Sequence, residues 1–209
     1  MPPRGRRKVQ DKWRMKEWYS IVSPAYFGGV NLGQTPASNV NNLLGRIVET
    51  SLYDLTGDFS QQYLKLYFKV INIVGTEAQT MFTGHEYSRD YLRSIVRRGS
   101  TRVDAILNAK TVDNYVVRLS VVILPIGRLN VGQITYLRKI VRDIVAEKAK
   151  NLAFDQLVQE AVLGKIASDI YNISKKISPL RHVGVRKSKL LSHPEKPREE
   201  IPVSAPILE

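Results

Sequence analysis

Apolar positions in the first half of the chain follow the pattern of strands, and in the second half they recur at a helical period. Residues 46–52 (Arg-Ile-Val-Glu-Thr-Ser-Leu) are β-rich and follow Gly45. Residues 63–74 form an aromatic and β-branched run that Gly75 ends. A partner strand is predicted over 77–83. Over 101–111, Val103, Ala105, Leu107 and Ala109 fall on one face, as strand alternation requires. Asp113-Asn114 tolerates left-handed backbone, so it joins that strand to the next, 115–124, as a hairpin. Five or more such strands predict a curved, barrel-like, mostly antiparallel sheet.

Three segments break this pattern. Over 88–98, Tyr91, Leu92, Ile95 and Val96 have helical spacing, with Ser88 placed to cap the start and Gly99 to stop the end. Over 134–150, Ile134, Leu137, Val141, Ile144 and Val145 share one face. Two shorter helices follow over 155–177 and meet near Gly164, before a strand over 182–190. The predicted class is α+β: a curved sheet with flanking helices and two extended tails. The expected organisation is a basic arm (1–16), one α+β domain (17–193) and a Pro-rich tail (194–209). Within the domain, 17–126 is β-rich, 131–177 helical, and 180–190 a return strand. No internal repeat is visible.

Charge narrows the partner. The 209 residues are 43% hydrophobic, enough for a real core, but they hold 32 Lys and Arg against 19 Asp and Glu, a net +13. Such an excess calls for a polyanion. A membrane surface is the competing polyanion, yet no run approaches the ~18 apolar residues of a spanning helix. The start, Met-Pro-Pro-Arg-Gly-Arg-Arg-Lys, has no apolar stretch behind it, so it does not read as a secretory signal. The absence of cysteine removes disulfides, thiolate nucleophiles and cysteine-ligated zinc. The expectation is a soluble, intracellular protein.

The charge lies in blocks. Arg4, Arg6, Arg7, Lys8, Lys12, Arg14 and Lys16 face one acid, Asp11, in an arm expected to order on its partner. In the first helix, Arg89, Arg93 and Arg97 recur every fourth residue, with Arg98 and Arg102 behind and Asp90 the lone acid. Their planar forks can grip phosphates and stay charged; a solvated face is the plainer reading, against which the lack of acidic partners argues. Arg138, Lys139 and Arg142 lie away from the apolar stripe of the next helix, diluted by Asp143 and Glu147. Arg181, His182, Arg186, Lys187 and Lys189 sit in a stretch without acids, where Val183 and Val185 inward would aim Arg186 and its neighbours at a partner. Trp13, between Lys12 and Arg14, is a base-stacking candidate, whereas Trp18 is expected to pack on the sheet.

Catalytic readings find little support. Residues 28–33 (Gly-Gly-Val-Asn-Leu-Gly) lack the order of a dinucleotide loop and the lysine of a P-loop, so they read as a turn. His85, His182 and His193 are far apart and read as surface or RNA-facing residues rather than metal ligands. Glu49, Asp54 and Asp58 are no more than acids near one strand. No catalytic residues, metal or cofactor are predicted.

Residues 43–55 (Leu-Leu-Gly-Arg-Ile-Val-Glu-Thr-Ser-Leu-Tyr-Asp-Leu) resemble the signature of the small-subunit ribosomal protein S-three-a family of archaea and eukaryotes, with Gly45-Arg46, Glu49, Ser51-Leu52 and Asp54-Leu55 at its fixed positions. The similarity continues through 16–19, 88–90, 111–119 and 177–189, leaving out the N-terminal arm and the last fifteen or so residues. Eukaryotic members carry a longer C-terminal extension, so the short tail is similar to that of an archaeal member. The resemblance implies a barrel-like core on the platform of the small subunit, near the mRNA exit and the 3′ end of the rRNA. The implied partners are rRNA and neighbouring ribosomal proteins, with mRNA near its exit and initiation factors as further ones. Asn114 stands where an Asp-Gly hairpin would have Gly, and Asn also accepts the left-handed conformation, so the turn is expected to survive. The expected function is that of a structural constituent of the cytoplasmic small ribosomal subunit that supports translation. An extra-ribosomal RNA-binding regulator is the alternative, and an RNA-processing enzyme ranks behind both.

Overall fold

The computed structural model describes residues 13–194. Arg4, Arg6, Arg7, Lys8 and Lys12 of the arm, and the tail beyond Pro194, lie outside the described residues. The order of elements is β1 (Glu17–Val22), β2 (Asn31–Ala37), β3 (Ile47–Ser51), α1 (Leu52–Thr56), β4 (Leu64–Val74), β5 (Glu77–Tyr87), α2 (Arg89–Ile95), β6 (Val103–Lys110), β7 (Val116–Pro125), α3 (Val131–Asn151), α4 (Phe154–Val162), α5 (Lys165–Ser174) and β8 (Leu180–Ser192). Among the described residues the result is a mixed α+β architecture with one large sheet and five α-helices.

The sheet branches at β5. β4 pairs antiparallel with β5 along its whole length, so β5 has one edge left. Two strands share that edge: β1 runs parallel to residues 77–79, and β8 runs antiparallel to residues 84–86. From β8 the ladder continues through β7 to β6, from β1 it continues to β2, and β3 lies beyond β4. Every pairing except β1–β5 is antiparallel. The ladder does not close on itself. The expected barrel is therefore an open, branched sheet in these pairings.

Alternation places the core. Leu64, Leu66, Phe68 and Val70 of β4 are buried, and Phe68 packs edge-on against Phe82 of β5 at 6.1 Å between ring centres. The apolar stripe of α3 (Leu137, Val141, Ile144, Val145) joins the same core, as do Leu157 and Val158 of α4 and Ile166 and Ile170 of α5. Removing a buried side chain such as Phe68 from packing this tight costs about 3–5 kcal/mol. The hairpin turn at Asn114 is left-handed (φ 62°), and Asp113 beside it accepts the backbone N–H of Phe154 at 3.0 Å, so the turn also caps α4. Gly164 takes φ 83° between α4 and α5. Lys148 of α3 bridges Glu160 of α4 and Asp169 of α5, each at 2.9 Å.

Several boundaries differ from expectation. The helix predicted over 88–98 stops at Ile95, because Val96 is extended (φ −82°, ψ 122°). Leu52 belongs to α1 rather than to the preceding strand: Ser51 and Asp54 form a reciprocal capping box that turns the chain into a helix there. β1 and β2 were not expected as strands. β1 has only two buried apolar side chains, Tyr19 and Ile21, and β2 (Asn-Leu-Gly-Gln-Thr-Pro-Ala) is poor in β-formers. The glycine turn holds at Gly28 and Gly29, both at positive φ, but Asn31, Leu32 and Gly33 open β2.

His85 of β5 is fully buried, not surface-facing. Its Nε2–H donates to the Val185 carbonyl at 2.9 Å and its Nδ1 accepts the Ser188 hydroxyl at 2.7 Å, which fixes a neutral ring. Burial lowers its pKa to about 4. As pH falls from about 6.5 to about 4, the unfolded chain binds a proton that the folded chain refuses, so stability is full above that window and declines through it, by up to ~1.4 kcal/mol per pH unit. Thermal denaturation of the wild type and of His85→Gln between pH 7 and 5 should therefore diverge: the wild type loses stability on acidification, and the variant, though less stable at pH 7, loses less. Parallel curves would remove His85 from that dependence.

Candidate RNA-binding surface

Several of the described basic residues gather in three parts of the fold: α2 with the turn after it, the start of β6 with α3, and the outer end of β8. α2 presents Arg89 and Arg93 one turn apart, both exposed, and among the described residues neither has an ion-pair partner. Because α2 ends at Ile95, Arg97 does not continue their row. Arg97 and Arg98 follow in an exposed turn that leads to Arg102. Arg89, Arg93 and Arg102 nevertheless line one shallow hollow with Leu92 and Val96.

The second part is the start of β6. Arg102 clasps the Asp104 carboxylate with two nitrogens, Nε at 2.9 Å and Nη2 at 3.2 Å. Arg138 of α3 donates from Nε to the Asp104 backbone carbonyl at 3.2 Å. Two basic segments separated by more than thirty residues therefore converge on one residue, and Lys139 and Arg142 continue the exposed side of α3. Arg128 joins them. The Thr101 N–H donates to the Gly127 carbonyl at 3.2 Å, and the Thr101 hydroxyl accepts the Leu129 N–H at 3.0 Å, so the loop carrying exposed Arg128 is tied to the Arg102 segment. Sequence patterning gave Arg128 no weight, since it stands alone between Gly127 and Leu129.

The third part is the outer end of the sheet. A bulge at Arg186 shifts register, with Val121 opposite Val185 and Ser120 opposite Lys187. The extra residue reverses the phase of alternation. Val183, Val185 and Ser188 are buried, and Lys187 and Lys189 emerge on the exposed side. Simple alternation from Val185 would have turned both lysines inward. Arg186 itself is half-buried and donates to the Ser120 hydroxyl at 3.3 Å, so it is not aimed outward as expected. Lys189 lies opposite Arg118 of β7, another exposed cation that the pattern did not single out, and Arg118 lies opposite Asn108, to whose Oδ1 its Nε donates at 2.9 Å. Lys187 is held by Glu86 at 2.8 Å. Arg181 and His182 are half-buried and lie away from this row, at the other end of β8.

At the start of the described chain, Trp13 is exposed with the Lys16 ammonium 4.1 Å from its ring centre. Trp18 is 58% exposed on β1, opposite Pro36, and does not pack into the sheet as expected. Arg14 is exposed beside them. Among the described residues there is no group of three or more His, Asp or Glu that could hold a metal, and no helix is long and apolar enough to cross a membrane.

The residues of the 43–55 run are committed within the chain. Leu43 and Leu52 are buried, and Gly45 takes φ 81° while its N–H donates to the Val70 carbonyl at 2.9 Å. Arg46 donates to the Thr35 hydroxyl and, at 3.5 Å, to the Pro36 carbonyl, tying β3 to β2. Glu49 pairs with Lys65 across β3 and β4 at 2.6 Å, and Ser51 and Asp54 start α1. The run is thus a joint where β2, β3, β4 and α1 meet.

The model of the ribosomal S3Ae family matches residues 4–194. The chain belongs to this family. Among its relatives, small ribosomal subunit protein eS1 of Saccharolobus islandicus and that of Saccharolobus solfataricus are each 48% identical over 187 residues, covering 90% of both chains. The same protein of Desulfurococcus amylolyticus is 45% identical over 206 residues, covering 98% of this chain and 97% of the relative. These relatives are archaeal, in line with the resemblance read from the sequence. Family membership makes the chain a structural component of the small ribosomal subunit, within the translation machinery.

If the family's signature run serves the fold, weakening it should spare RNA contact. Ser51→Ala, which removes one half of the capping box, should lower stability by ~1 kcal/mol in thermal denaturation and leave the affinity for small-subunit rRNA unchanged. A loss of affinity at unchanged stability would assign the run to RNA instead.

Proposed function

We propose that this member of the family binds small-subunit rRNA directly through the surface formed by α2, the start of β6, α3 and the outer end of β8, and that this contact is structural rather than catalytic. The observation that carries the reading is the convergence at Asp104. Guanidiniums from two distant segments are seated there by Asp104 itself, while Arg89, Arg93, Arg97, Arg98, Lys139, Arg142, Arg118 and Lys189 have no acidic partner among the described residues. A set of cations in excess of its acidic partners has a large electrostatic gain to make by neutralising phosphates and releasing their counterions. The deep groove of duplex RNA is closed to side chains, so such a surface follows backbone shape and reads little sequence.

The described body acts in this reading as one RNA-binding unit, with Arg14, Lys16 and Trp13 continuing the contact toward the basic arm at 1–16. A place on the platform near the mRNA exit follows from the family resemblance. Neighbouring ribosomal proteins are direct partners in this reading, and mRNA and initiation factors are further ones.

Three measurements test it. In filter binding to small-subunit rRNA, affinity should fall ~10³–10⁵-fold between about 50 and 200 mM salt if roughly 6–10 phosphates are contacted, taking the duplex-DNA slope as guide. The triple substitution of Arg89, Arg93 and Arg97 by Gln should weaken binding and flatten that slope while the circular dichroism spectrum stays unchanged. Binding that is flat in salt, or indifferent to the triple substitution, overturns the assignment of this surface. Sedimentation of a lysate should also find the protein with small subunits at near-equal stoichiometry; a predominance in light fractions would instead favour an extra-ribosomal regulator.

A further inference from the structure

A cavity of about 380 Å³ lies between the beginning of β8, the end of β5 and α5, and Tyr87, which lines it, also lines a second hollow with Lys65, Glu86, Arg89 and Arg93. Its volume falls in the ~300–1,000 Å³ range of small-molecule sites. Six side chains give it its chemistry: Gln61, Tyr63, Tyr87, Tyr171, Arg181 and His182. Three of their polar atoms are buried with no hydrogen-bond partner among the described residues: Gln61 Oε1, Arg181 Nη1 and His182 Nε2. Leaving such groups unpaired is costly, so three among the residues of one cavity favour a ligand that answers them.

The orientation of these groups is fixed. Gln61 Nε2 donates to Asp58 at 3.1 Å, which leaves its Oε1 as the free acceptor. Arg181 supplies donors only and has no ion-pair partner among the described residues. Burial lowers the pKa of His182, so its ring is neutral at pH 7 and adds no charge. The aromatic wall is braced: Tyr63 stacks on Tyr91 at 3.7 Å and 15° between ring planes, Tyr87 meets both edge-on, and the His182 ring lies 6.1 Å from Tyr87 and from Tyr91. Gly184 leaves room for this packing, because a Cβ there would collide with the Tyr87 hydroxyl and come within 2.9 Å of His182 Nε2.

An anion fits this lining poorly. A phosphate or carboxylate would satisfy Arg181 but would meet the Gln61 oxygen, another acceptor, and a neutral imidazole. A nucleobase edge presents acceptors and donors side by side and a flat face for tyrosine. We infer that the cavity receives one unpaired base of the small-subunit rRNA, turned out of its stack, whose edge accepts from Arg181 and donates to Gln61 while its ring lies against the tyrosine wall. The inference rests on the rRNA-binding reading above and gives it a point of base recognition that a phosphate-tracking surface lacks. Arg89 and Arg93, in the second hollow that Tyr87 lines, are placed to hold the backbone of the same strand. A side chain from a neighbouring protein is the other occupant, and the basic flank speaks against it.

The test uses the full chain bound to small-subunit rRNA, probed in parallel by hydroxyl radicals for backbone contact and by reagents that modify base edges. The wild type should protect one unpaired base. Gln61→Leu and Arg181→Met, chosen to keep side-chain volume, should each restore that base's reactivity and leave the hydroxyl-radical footprint at α2 in place. Tyr63→Ala should in addition weaken binding ~5–150-fold, the range expected for a lost base stack. Failure of the rRNA-binding reading would appear as no backbone footprint at all. A footprint with no protected base, or with a protected base indifferent to Gln61→Leu and Arg181→Met at unchanged thermal stability, overturns the inference alone. So does photo-crosslinking from a benzophenone amino acid at Ser168 in intact subunits, if it labels protein rather than rRNA.

Discussion

The junction of β5 with β8 holds the molecule together. One glycine and one buried histidine make it possible. A side chain at Gly84 would strike the Ser188 carbonyl, so only glycine lets the strands approach there. Next to it, His85 takes the Ser188 hydroxyl on one nitrogen and gives its proton to Val185 on the other, while its own backbone N–H donates to Ser188 Oγ at 3.0 Å. These bonds join residues about a hundred positions apart in a place without water, where an unmet polar group is costly. Through this junction the β1–β4 half of the sheet meets β6–β8, and the helices that follow β7 are brought under both.

The basic surface depends on that assembly. α2 sits directly after β5, so its position is set by the strand that pairs with β8. Arg102 and Arg138 meet only because α3 packs along β6. The bulge at Arg186 decides that Lys187 and Lys189 face outward, and it lies on the strand that the junction anchors. Charges that repel one another are therefore fixed by hydrogen bonds to neutral or acidic groups of the framework, at Asp104, Asn108, Glu86 and Ser120. A surface prepared in this way loses less side-chain freedom on meeting RNA than free side chains would.

The family's signature has a different task from the one its polarity suggests. Arg46, Glu49 and Asp54 could each be read as a ligand-facing charge, yet they face Thr35, Lys65 and the start of α1. Their spacing suits a joint among four elements, and such a joint constrains residue identity as tightly as a binding site does. The cavity beside Tyr87 presents the reverse case. Gln61 and Tyr63 belong to no motif, Arg181 was singled out only as one of a run of cations, and their proximity exists only in the fold.

The sequence by itself determined the strands with dense β-branched and aromatic runs, the apolar stripe of α3, the left-handed turn at Asn114, the break at Gly164 and the family. Each rests on local periodicity or on one residue's backbone preference, which neighbours in the chain suffice to express. Only the tertiary structure decided that α2 stops before Arg97, that β1 and β2 are strands despite weak local preference, and that Trp18 is exposed. It also decided that the sheet branches rather than closes, that Arg128 and Arg118 join the basic surface, and that a bulge turns Lys187 and Lys189 outward. These depend on which edges and faces are already occupied by distant segments, and no local pattern carries that information.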